Sequence, residues 1–139
     1  MKRRITCFAM LLLSLLALAK AAENAAGTSG ADPLYDVVVY GDSSGAVVAA
    51  VAAQREGRSV ILVNPTGFPG GMSASGLGAT DCLGKQGTFG GIAKEFYKGI
   101  AAAYGADFVR SFEPHVGKQV FEKMITDAGV TVIYTICAK

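Results

Sequence analysis

The stretch YDVVVYGDSSGAVVAAVAAQREGRSVILV, running from Tyr35 to Val63, decides the fold. Asp36 to Tyr40 is a continuous apolar, β-branched run of the kind that forms a strand buried on both faces. Gly41-Asp42-Ser43-Ser44-Gly45 breaks it. Ala46 to Glu56 is nearly all Ala and Val, side chains small enough for a helix to lie close against a sheet, and Gly57 supplies the stop. Ser59 to Val63 reads as a second buried strand. Strand, glycine turn, helix and strand in so short a span form a βαβ unit, whose parallel strands need a right-handed crossover.

Outward from this unit the composition changes. Nine of the chain's 18 glycines fall between Gly67 and Gly91, which predicts a long loop without a regular element. Loops of that length inside a compact domain are usually functional or disordered. Gly90-Gly91 then opens a helix whose apolar stripe is Ile92, Phe96, Ile100 and Ala103 or Tyr104. A second helix starts near Pro114, a favourable first-turn residue, and turns Val116, Val120, Met124 and Ile125 inward. Asp127-Ala128-Gly129 ends it, and Val130 to Ile136 is a third strand. The fold class is therefore α/β with a parallel sheet, Rossmann-like.

The glycine turn carries the first chemical signal. A helix N-terminus offers unpaired N–H groups and the positive end of a dipole, and glycines let the backbone approach a pyrophosphate. The usual spacing is G-x-G-x-x-G/A. Gly41 fills the first place and Ala46 the third, while Ser43 stands at the second with Ser44 and Gly45 after it. At the end of the second strand a dinucleotide site normally carries Asp or Glu for the ribose hydroxyls. Asn64 stands there instead, offering an amide oxygen without charge. Gly70-Gly71, followed by Met72 and Ser73, forms a second platform where a backbone can run against a ligand. His115 is the chain's single histidine and stays a candidate catalytic residue without an assigned step. Lys85, Lys94 and Glu95 read as solvated faces, Tyr97 and Tyr104 as packing.

The N-terminus has a different purpose. Met1-Lys2-Arg3-Arg4, the apolar run Ile5 to Ala19 and the small-residue site Ala19-Lys20-Ala21 describe a secretory signal peptide over residues 1–21, cleaved before Ala22. The run is too short for a stable membrane anchor. Residues 22–34 read as a flexible lead-in and 35–139 as the domain. Four of the 13 Lys and Arg lie in the signal, which leaves 9 against 11 Asp and Glu, a net of −2. No basic patch supports a nucleic-acid partner. Cys7 falls in the signal; Cys82 and Cys137 could pair after export, Cys82 could be redox-active, or both could be small apolar fillers. No metal site is expected.

Several matches in order, YDVVVYGDSSGAVVAAVAAQREGRSVILV, PGGMSASGLGATD, GGIAKEFY and FEPHVGKQVFEKMITDAGVTV, resemble the start of the FAD-dependent oxidoreductases of the glutathione-reductase-like superfamily, in a secreted branch. The resemblance implies that the turn Gly41 to Ala46 holds the FAD pyrophosphate and that Asn64 replaces the usual ribose-binding Glu. It further implies that Gly70, Gly71, Met72 and Ser73 lie along the phosphates and ribityl chain, with Ser75 to Asp81 running toward the flavin ring. The expected activity is electron or hydride transfer through FAD on an unknown small-molecule substrate. Members of that family run several times longer, so the resemblance implies a domain that is incomplete, truncated after the third strand, and the chain alone is expected to hold FAD weakly and to turn nothing over. Two other readings stand beside it: a non-catalytic exported binding or interaction module, and a nicotinamide-dependent Rossmann enzyme, against which the second glycine platform argues.

Overall fold

The computed structural model describes residues 33–77, 79–82 and 84–135. The signal peptide read over 1–21, residues 22–32 of the lead-in, Cys7 and Cys137 lie outside them. Tyr35–Lys139 forms one compact unit. Its elements in chain order are β1 (Val37–Tyr40), α1 (Ser44–Arg55), β2 (Val60–Asn64), a one-turn α2 (Met72–Ser75), a 3-10 turn (Gln86–Thr88), α3 (Gly91–Ala103), α4 (Pro114–Ala128) and β3 (Thr131–Tyr134).

The three strands form a parallel sheet in the order β1-β2-β3, with Val37 opposite Val60 and Leu62 opposite Val132. The apolar runs become strands as their composition predicts, and central β2 is buried almost throughout. Residues opposed across a parallel ladder share a face. Val37, Val39, Val60, Leu62 and Val132 therefore point one way, into a core completed by Val47 and Val51 of α1 and Phe121 and Ile125 of α4. On the other face Val38, Tyr40 and Ile133 remain exposed.

Gly57, at φ +77, follows α1, and Gly129, at φ +74, closes α4 in the left-handed region. That turn lets the Val130 N–H donate to the Ile125 carbonyl at 3.1 Å and leads straight into β3. Asp36 and Ser59 tie the starts of the first two strands. The Asp36 carboxylate accepts the Ser59 N–H and hydroxyl, each at 2.8 Å.

Three expectations need correction. The glycine-rich stretch contains α2 and the 3-10 turn, because Met72-Ser73-Ala74-Ser75 is a glycine-free window long enough for a single turn, closed by the Ser75 hydroxyl donating to the Gly71 carbonyl at 2.8 Å. On α3 the buried residues are Phe96, Ile100 and Ala101, while Ala103 and Tyr104 are exposed. Tyr104 caps the helix, and its hydroxyl accepts the Glu113 N–H at 3.0 Å, which holds it over the connection to α4. On α4 the inward line is Gly117, Phe121, Met124 and Ile125, with Val116 and Val120 on its flank. Gly117 leads that line because the Ser73 carbonyl presses on it: a Cβ there would lie 2.3 Å from the oxygen.

Candidate functional site

The turn after β1 is built by backbone geometry. The Gly41 N–H donates to the Val63 carbonyl at 3.0 Å, which carries the sheet ladder one residue past the strand. Ser43 is the N-cap of α1: its Oγ accepts the Ala46 N–H at 3.2 Å and its carbonyl the Val47 N–H at 3.2 Å. The N–H groups of Ser44 and Gly45, in the first turn, have no carbonyl four residues back within the helix to bond to. A Cβ at Gly45 would meet only Ser43 Oγ, at 3.6 Å, so the position has room for a side chain. Ser43 at the second glycine place thus spends one first-turn donor on capping and leaves two.

The glycine platform docks onto this turn. The Gly70 N–H donates to the Asp42 carbonyl at 2.7 Å, and Ser43 and Gly70 form a parallel bridge. Gly70, at φ +108, would place a Cβ 2.3 Å from the Phe121 ring, and Gly71, at φ +56, would place one 3.1 Å from the Ser43 Cα. Both glycines are required by contacts within the protein, whatever ligand they also approach. The structure brings Gly41, Ser43, Ser44, Gly45, Ala46, Gly70, Gly71 and Ser73 into one cluster. Met72 projects outward and is largely exposed.

Beside the cluster lies a cavity of about 250 Å³ lined by Ser44, Gly45, Ser73, Phe96, Tyr97 and Phe121, among others. One wall is the first turn of α1; the other is aromatic, with Phe96 and Phe121 stacked 4.2 Å apart and Tyr97 edge-on to Phe96. Donors at one end and rings at the other suit a ligand with a phosphate and an apolar part. The aromatic wall was not legible as a site in the sequence, because Phe96 read as part of an apolar stripe and Tyr97 as packing, and Phe121 lay outside the inward line expected of its helix. Phe96 and Phe121 are also core residues. Proximity of α3 to the turn was the missing information.

Two candidates sit elsewhere. Asn64 is wholly buried. Its Oδ1 accepts the Thr66 N–H at 2.9 Å and bonds the Thr66 hydroxyl at 3.1 Å, while Nδ2 has no partner among the described residues. His115 is exposed in the first turn of α4, lining a separate cavity of about 450 Å³ with Phe68, Ser75 and Lys118. Of the run read over 75–81, Thr80 reaches α3, where its hydroxyl and that of Tyr97 lie 2.9 Å apart. Glu95 is not simply solvated: it makes a two-pronged ion pair with Arg55 of α1, at 2.8 and 2.7 Å, across a half-exposed surface. These bonds hold its carboxyl below the ordinary value. Among the described residues Cys82 is a free thiol, no group of three His, Cys, Asp or Glu could hold a metal, and no helix is long and apolar enough to cross a membrane.

Comparison with known proteins bears on the same region. The signature of the family described as FAD dependent oxidoreductase matches residues 36–138. No curated protein matches the chain. Among solved structures, the crystal structure of Thermovibrio ammonificans THI4 is similar with a TM-score of 0.44 and 15% identity, over 90% of this chain and 45% of that one. The chain thus spans under half the length of that relative.

Proposed function

Because the chain belongs to the FAD-dependent oxidoreductase family, we propose that its glycine cluster grips the pyrophosphate of FAD in an enzyme that moves electrons or hydride to or from a small molecule. The observation that carries this reading is the pair of N–H groups at Ser44 and Gly45, without helical acceptors at the start of α1, in two residues that line a cavity with an aromatic far wall. When bound, FAD supplies the redox chemistry through its isoalloxazine ring. The protein's share is binding and orientation. Ser44 and Gly45 meet phosphate oxygens with backbone donors and the positive end of α1. Gly70 and Gly71 hold the α2 segment against the turn so that Ser73 faces the same cavity. Phe96, Tyr97 and Phe121 exclude water from its inner side. Export through the segment 1–21 is part of the proposal, and a mature N-terminus at Ala22 by mass spectrometry is its test.

Gly45→Asp tests the binding reading without attacking the fold. The position has room for a side chain, and an acidic residue in a first helical turn stabilises the helix. The variant is expected to melt at or above the temperature of the parent yet lose FAD binding, because its carboxylate sits where the phosphates must. Retained FAD affinity would place the cofactor elsewhere.

A further inference from the structure

Asn64 ends β2 where a dinucleotide site normally presents a carboxylate to the ribose hydroxyls. The side chain is in no position to do that. It is 0% exposed, and the pleat sends it to the same face as Val60 and Leu62, toward the helices. Its only acceptor, Oδ1, is taken by the backbone N–H of Thr66 and lies 3.1 Å from the Thr66 hydroxyl. The amide orientation follows from chemistry, since an N–H donor must face the carbonyl oxygen. Thr66 relays the hold: its Oγ accepts the Phe68 N–H at 3.2 Å. Pro69, fully buried, follows, and Gly70 then donates to Asp42 at 2.7 Å. The Asn64 carbonyl receives the Thr135 N–H at 2.8 Å, so β3 clamps the same residue from behind.

From this chain of contacts, and resting on the FAD reading above, we propose that Asn64 is a positioning residue and not a ribose ligand. With Thr66 it forms a clasp that fixes the segment Pro65–Pro69, and so sets Gly70 and Gly71 on the phosphate turn. A contact to the adenosine ribose would act on FAD and leave FMN, which has no adenosine ribose, untouched. A clasp acts on the phosphate turn, which both flavins use.

The test titrates the full chain and three variants with FAD and with FMN, following flavin fluorescence, with thermal melts alongside to keep every variant below its unfolding transition. Asn64→Ala and Thr66→Val are expected to weaken both flavins by the same factor, about tenfold for the loss of a hydrogen-bonded partner in the clasp. Thr66→Ser keeps the hydroxyl and is expected to bind both as the parent does. Thr66→Val is close in shape to threonine and stands in if Asn64→Ala does not fold. Loss of FAD affinity with FMN affinity unchanged would make Asn64 a ribose ligand and overturn the proposal. Unchanged affinity for both flavins in Asn64→Ala and Thr66→Val would overturn it too. A parent chain that binds neither flavin would instead refute the FAD reading, and the inference with it.

Discussion

At the scale of single residues, two glycines close together in sequence show how differently the same residue type can matter. Gly70 has φ +108 and the Phe121 ring 2.3 Å from where a Cβ would sit, whereas Gly67 has nothing within 4 Å. Gly70→Ala combines backbone strain with overpacking, and a loss of about 2–5 kcal/mol is expected in urea denaturation. Gly67→Ala is expected to stay within about 0.5 kcal/mol of the parent. Asp36 gives a prediction in pH. The Ser59 N–H, then the Ser59 hydroxyl, and more weakly the Arg58 charge, hold its carboxyl below the ordinary 3.8. A carboxyl depressed in the folded state contributes stability above its unfolded value, and that contribution is lost as pH falls through the folded value. Asp36→Asn should therefore flatten the stability profile below about pH 4, as read from denaturation midpoints across an acid series. An unchanged slope would mean that Asp36 titrates alike in both states.

At the scale of elements, the N-terminus of α1 joins stability to binding. Ser43 caps it through Oγ. Ser43→Ala is expected to cost about 1 kcal/mol, and Ser43→Gly, which restores the usual phosphate-turn spacing, only a few tenths. No loss for Ser43→Ala in chemical denaturation would show that the cap hydrogen bond contributes nothing. The elements themselves were largely legible. Val37 to Tyr40 and Val60 to Val63 are β-branched runs too short for helices, Pro114 and Gly129 bracket α4, and Gly57 stops α1. What sequence could not convey was which side of a helix meets which neighbour. Phe121 and Gly117 became the inward line of α4 only because α2, a turn hidden among glycines, packs there. Asn64 looked like a weakened ribose ligand because its place in the chain was readable and its hydrogen bond to Thr66 was not.

At the scale of the whole molecule, the turn and the glycine platform meet in one cluster, although some 25 residues separate them in the chain. β2 brings them together: Gly41 donates to its Val63, and the segment leaving Asn64 returns as Gly70 to Asp42. One cavity then joins them to α3 and α4. A single glycine turn serves many nucleotides; under the proposed function the second glycine segment, seated on the turn, and the aromatic wall take a flavin dinucleotide. Calorimetric titration of the chain with FAD and, separately, with NAD tests this most directly. FAD should bind more tightly than NAD, and Gly45→Asp should abolish the FAD signal. Tighter binding of NAD, or FAD binding that survives Gly45→Asp, would contradict the account.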